Sequence, residues 1–307
     1  MRIDNGALVL TFLPSVGGRL VSLLATGQEL LWRDLEILDD NGVVRRPRAH
    51  WPEVDGTFGS WVNVGGAKTW PAPQGWGGAG EWAGPPDAVI DSGAWAYSLD
   101  TDLEVETRRI TISLTSPDDP RTGLRMTREF FLEDGALNFV QRSTFTNVSD
   151  RTIRWSIWEV VQVDTARSAD SDALAISVAA ESDQTVDLGS YHGSLNVVHA
   201  PDRIDLAIQD VVAKIGFPSA TGSISYTAAD GLGLRLDFAV DKTAEYPDGG
   251  SRAEIWMQAP LARAIEELSG LHPRSHLVEL EALGPLVSLE PGESTTFEMR
   301  WSVLGAT

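Results

Sequence analysis

Residues 124–147 read LRMTREFFLEDGALNFVQRSTFTN, and this stretch decides the fold class. Apolar and polar residues alternate at period two from Leu124 to Leu132 and again from Leu137 to Asn147. Between the two runs sits Asp134-Gly135, the dipeptide of a tight hairpin turn. Two strands joined in this way are antiparallel neighbours with one buried and one wetter face.

The same alternation recurs outward in both directions. Towards the N-terminus it covers Ala7 to Leu13, Gly17 to Leu23 and Arg108 to Thr115. Towards the C-terminus it covers Ile153 to Val163, Asp205 to Ile208, Gly222 to Thr227, Leu232 to Val240, Arg252 to Gln258, Ser275 to Leu283 and Ser294 to Val303. These runs are rich in β-branched and aromatic residues and are punctuated by Gly, Pro, Asn or Asp. Asp230-Gly231 repeats the hairpin device, and only a short stretch such as Leu261 to Leu268 reads as helical. The expectation is an all-β, antiparallel architecture of many strands. No linker, repeat or charge run divides the 307 residues, so residues 1–307 are read as one domain.

One segment departs from the pattern. From Thr57 to Ala96 glycines and prolines separate Trp61, Trp70, Trp76, Trp82 and Trp95. A long irregular segment in a compact domain is functional or disordered, and disordered segments are poor in aromatics. It reads as a functional loop whose indoles offer flat faces and N–H donors.

Composition narrows the function classes. A net charge of -20 without Lys or Arg clusters opposes nucleic-acid binding. The absence of cysteine excludes disulfides, thiolate nucleophiles and Cys-ligated metals. The start lacks the apolar core of a signal peptide and no segment reads as a membrane span, so a cytoplasmic protein with no membrane partner is expected. His272 and His276 flank Pro273 in strand-like surroundings, which argues against a helical metal motif. No cofactor is expected. Trp32, Trp51 and Trp301 read as core residues, and His192 and His199 as structural.

The opening residues Leu8 to Leu23, with Gly17-Gly18-Arg19, resemble the first hairpin of the aldose 1-epimerase (galactose mutarotase) superfamily. The end resembles that family's last strands: His276 to Leu283 with its glutamates, then Glu290-Pro291-Gly292-Glu293. Gly65 to Gln74, Trp82 to Pro86 and Trp155 to Gln162 are similar to a divergent subgroup. The resemblance implies a β-supersandwich, with the ligand on a concave sheet face. It also implies acid–base chemistry, in which a carboxylate takes the anomeric proton while an acid protonates the ring oxygen. Glu281 matches the family's base. The family's acid histidine has no counterpart, since no histidine lies between His50 and His192.

Residue alternation supplies the other candidates. Glu279 shares a strand face with Glu281, and like charges so close raise a pKa. Glu254, Trp256 and Gln258 share another face that suits a sugar. Glu159 falls among apolar neighbours, where a carboxylate is costly unless paired, which makes it a candidate second carboxylate beside Glu254. Trp70, Trp76, Trp82 and Trp158 are expected as stacking walls, with Gln162, Glu279 and His276 nearby. Lys68, isolated in the Trp-rich segment, is a candidate to hold a uronate or phosphate. Arg19 reads as a partner for a cleft carboxylate or for a structural salt bridge. The expected ligand is a carbohydrate or sugar acid, and the expected protein an epimerase-like isomerase. A non-catalytic sugar binder, a glycan lyase or hydrolase and an interaction protein remain open, and the oligomeric state is not readable.

Overall fold

The hairpin read from Asp134-Gly135 forms, joining Leu124–Glu133 to Asn138–Asn147 in antiparallel register, with Gly135 at a φ of 68°. The Asp230-Gly231 hairpin likewise joins Ala220–Thr227 to Gly233–Phe238. The structure is a computed structural model that describes residues 1–39, 41–46, 50–51, 53, 55–102, 108–165 and 173–305. Its strands form two large sheets, one of eleven strands and one of ten, with all pairings between named strands antiparallel. The architecture is the antiparallel all-β one that the alternation implies, with the packed sheets that the family resemblance implies.

The eleven-stranded sheet positions the site. Across its middle run Ala67–Ala72, Ile153–Asp164, Leu277–Leu283, Ala253–Gln258, Val212–Phe217 and Val186–His192, in that spatial order. The second sheet packs on one face of it. Phe12 of the first sheet meets Phe130 of the second edge-on at 4.8 Å, and Trp155 donates to the Thr122 carbonyl at 3.0 Å. Buried aromatics of this kind each contribute ~1.5–3 kcal/mol by leaving water. The other face of the first sheet remains open to the cavity described below.

Two sequence expectations are corrected. The Trp-rich segment is not loop throughout, because Ala67–Ala72 is a fully buried strand in the sheet. It pairs along Ile153–Asp164 but meets its other neighbour only at Leu20↔Ala67, so Pro71 is tolerated as at a sheet edge. Gly65 and Gly66, at φ values of 92° and 77°, let it pass close to the backbone at Trp32 and Leu20, where a Cβ would collide. The Leu261 to Leu268 helix does not form. Only Glu266–Leu268 coils, inside a tight turn closed by an Ile265↔Leu271 bridge.

Candidate functional site

Register places the site side chains in rows across the open face. One row runs Lys68, Val160, Glu281, Glu254, Gly216, and the next runs Gln162, Glu279, Trp256, Lys214. Alternation then decides which side chains look outward. Above these rows lies a cavity of about 270 Å³. Its floor includes Trp158, Gln162, Lys214, Glu279 and Glu281, and its walls include Trp61, Trp70, Trp76, Tyr191 and Trp256.

Glu281 is the best-anchored carboxylate on the floor. Its Oε2 accepts from Trp158 Nε1 at 2.6 Å and lies 2.9 Å from the Lys214 ammonium, while its buried Oε1 has no partner. Lys214 also reaches Glu254 Oε2 at 2.6 Å and lies 4.2 Å above the Trp158 ring. Glu254 is fully buried beneath the floor. Burial, aided by the charges of Glu281 and Asp248, raises its carboxyl well above the ordinary value, against the pull of Lys214. Burial raises Glu281 too. Burial alone would lower the Lys214 pKa, but the two glutamates outweigh it and hold the ammonium charged.

The charges of Glu281 and Asp248 both act on Glu254, so the three carboxyls titrate together. Asp248 lines the cavity, is raised by burial, and holds a left-handed φ of 51° without being glycine. Such strain at a non-glycine residue persists only where its surroundings impose it.

The second cluster lies one row away. Glu279 Oε1 takes Gln162 Nε2 at 2.6 Å and Lys68 Nζ at 3.0 Å. Lys68 is buried with its ammonium 4.5 Å from the Trp70 ring, and burial, partly offset by Glu279, lowers its pKa to about 8. Trp70 Nε1 and Gln162 Oε1 are buried and unpartnered.

The sequence candidates therefore divide. The cavity is lined by Glu281, Glu279, Trp70, Trp76, Trp158 and Gln162, with Glu254 and Lys68 packed directly behind. Glu159 lies elsewhere. Its position on the inner face of Ile153–Asp164 turns it towards the second sheet, where Thr69 and Gln141 donate to it at 2.8 and 2.7 Å. Trp82 is a core indole bonded to Asp87 at 2.8 Å rather than a cavity wall. Arg19 is buried in an ion pair with Asp91 and donates to the Gly65 carbonyl, so its role here is the structural one. His276 precedes Leu277–Leu283 and is not a lining residue. Lys68 meets Glu279 and leaves no free ammonium for an acidic ligand.

Sequence reading missed Lys214, Asp248 and Tyr191. Lys214 had a visible signal, as the one cation in the apolar run Val211 to Phe217. Asp248 and Tyr191 reach the cavity through turns and pairings that alternation does not encode. Among the described residues no group of three or more His, Asp or Glu side chains is placed to hold a metal.

The chain superposes over nearly its whole length on solved β-sandwich proteins of one kind. A galactose mutarotase-like protein from Lactobacillus casei matches with a TM-score of 0.55 at 10% identity, over 99% of each chain. The fold is that of the galactose mutarotases. A mutarotase-like protein from Clostridium acetobutylicum agrees, with a TM-score of 0.54 at 10% identity over 98% of this chain and 94% of that one. The chain also superposes on part of a larger TPR-domain containing protein from Parabacteroides distasonis. There the TM-score is 0.61 at 16% identity, over 99% of this chain and 46% of that longer one. No family model and no curated protein sequence matches the chain. At these identities the likeness is one of fold, and the chemistry has to be argued from the site.

Proposed function

We propose that the cavity binds a sugar ring and that Glu281 exchanges the anomeric proton, interconverting the anomers. The observation that carries this reading is the division of labour within one carboxylate. Trp158 and Lys214 fix one oxygen of Glu281, the other is buried without a hydrogen-bond partner, and the residue lines the cavity. A general base needs both a fixed position and a free lone pair aimed at the substrate.

The second proton carrier is Asp248, in place of the histidine absent from this site. Asp248 lines the cavity and its raised pKa lets it carry a proton nearer neutral pH. Glu281 takes the hydroxyl proton while Asp248 gives one to the ring oxygen, and the ring opens. After rotation of the carbonyl the same two transfers run backwards and close the ring. Glu254, which meets the same Lys214 ammonium as Glu281 and does not line the cavity, is a positioning residue.

The test is proton-exchange NMR of anomerisation over a panel of pyranoses. Wild-type protein should exceed the buffer rate, and Glu281→Gln should return to it while still binding sugar. Because burial raises the Glu281 pKa, the rate should fall as pH drops through that raised value and the carboxylate is neutralised. Equal rates for wild type and Glu281→Gln would remove Glu281 from the reaction. A non-catalytic sugar binder is the second reading, favoured by the absence of histidine from the lining residues.

A further inference from the structure

The cavity is unbalanced both in charge and in hydrogen-bonding groups. Asp248, Glu267, Glu279 and Glu281 line it, and the sole cation among the lining residues is Lys214. That ammonium is already held between Glu254 and Glu281. The other nearby cation, Lys68, is spent behind the floor on Glu279. An incoming anion would therefore find four carboxyl groups and no free positive partner.

The unpartnered atoms point the same way. Glu281 Oε1 and Gln162 Oε1 are buried acceptors on lining residues, against one buried donor, Trp70 Nε1. The Gln162 amide cannot be turned over to even this balance. Its nitrogen is required by the Glu279 carboxylate at 2.6 Å, which leaves its oxygen as the free atom. Buried acceptors left unpaired cost free energy that a donor-bearing ligand recovers.

On the reading that a sugar occupies this cavity, we propose that it selects sugars bearing a protonated amine and rejects uronates and sugar phosphates. An ammonium offers three donors and no acceptor, and its bonds to carboxylates are charge-assisted. A carboxylate or phosphate brings only acceptors, and like charges so placed in a partly desolvated cleft repel. Hydroxyls of a neutral sugar donate as well as accept, which places glucose between the two extremes.

Isothermal titration calorimetry with glucosamine, glucose, glucuronate and glucose 6-phosphate tests this at about pH 6, where the amine is charged. Glucosamine should bind at least ~10-fold tighter than glucose, with that advantage shrinking as salt is raised, and the two anions should bind weaker than glucose. Glu279→Gln, which releases Lys68, should narrow the gap between glucosamine and glucuronate. Should that variant fail to fold, the wild-type order decides alone. Glucuronate binding as tightly as glucose, or glucosamine no tighter than glucose, overturns this inference and leaves the sugar cleft standing. No heat with any of the four overturns the sugar cleft itself, and this selectivity with it.

Discussion

On its inner face, the strand Ile153–Asp164 turns Glu159 towards Gln141 of the second sheet; on its outer face, one residue away, Trp158 donates to Glu281. Both carboxylates are essentially inaccessible, and burial raises both pKa values. Both also have a cation nearby, Arg128 for Glu159 and Lys214 for Glu281. What separates them is what lies beyond. Glu159 is covered by a second layer of strands, and Arg128 beside it ties Gly18 and Ala67 carbonyls across the interface at 2.8 and 3.1 Å. Glu281 faces a cavity. A perturbed, buried carboxylate marks a place where charge matters, and access decides whether it serves packing or chemistry.

Substitution of the two glutamates should separate these roles most strongly. Glu281→Gln is expected to slow anomerisation by about 10²–10⁴-fold with an almost unchanged melting temperature. Glu159→Gln should instead lower the melting temperature and keep turnover in the protein that remains folded. An equally deep loss of turnover in folded Glu159→Gln would erase the distinction between the faces. Next in size is Arg128→Met, which strands Glu159 without its cation. It also removes the bonds to the Gly18 and Ala67 carbonyls, and urea unfolding should show a loss of about 1–3 kcal/mol, as for buried polar groups left without a partner, with sugar affinity unaltered.

A smaller effect is expected from pH at Glu254. Its folded pKa lies above its unfolded one, so the associated stability is present below the unfolded value and is lost as pH rises through the folded value. Glu254→Gln does not titrate and should show a flatter melting temperature as pH rises above the ordinary glutamate range. A variant curve parallel to wild type would mean that Glu254 carries no shifted proton. The smallest effect belongs to Trp76, which is 72% exposed at the cavity rim. Trp76→Ala should weaken sugar binding by no more than about fivefold, because a ring left largely in water has little area to bury. A larger loss would show the rim to be as important as the floor.

Much of the fold was legible because period-two alternation and Asp-Gly turns are local signals, as in the Leu124–Asn147 hairpin. Among the strands that escaped, some are exposed, as Ala96–Asp102 is along its whole length, and others are buried on both sides. Ala67–Ala72 and Val212–Phe217 carry no regular polar face, and Lys68, Pro71 and Lys214 interrupt their apolar runs. At the site, the outward faces of Leu277–Leu283 and Ala253–Gln258 were readable from alternation. That Lys214 bridges their two glutamates was not, since it depends on which strand lies beside which. Glu159 was correctly seen as an anomaly among apolar residues, but sequence alone gives no sign of the Arg128 that explains it.

The crowding of indoles around the cavity also gives the protein an optical property. Five of its eleven tryptophans, Trp61, Trp70, Trp76, Trp158 and Trp256, line the cavity. Nearly half of the chain's indoles therefore stand within reach of any occupant. Trp158 is the most sensitive of them, with an ammonium above its ring and a carboxylate on its nitrogen. Any molecule that shifts Lys214 or draws on Glu281 changes the electric field across that ring and with it the colour of its emission. The protein carries a built-in spectroscopic probe for its own ligand, with no label to attach.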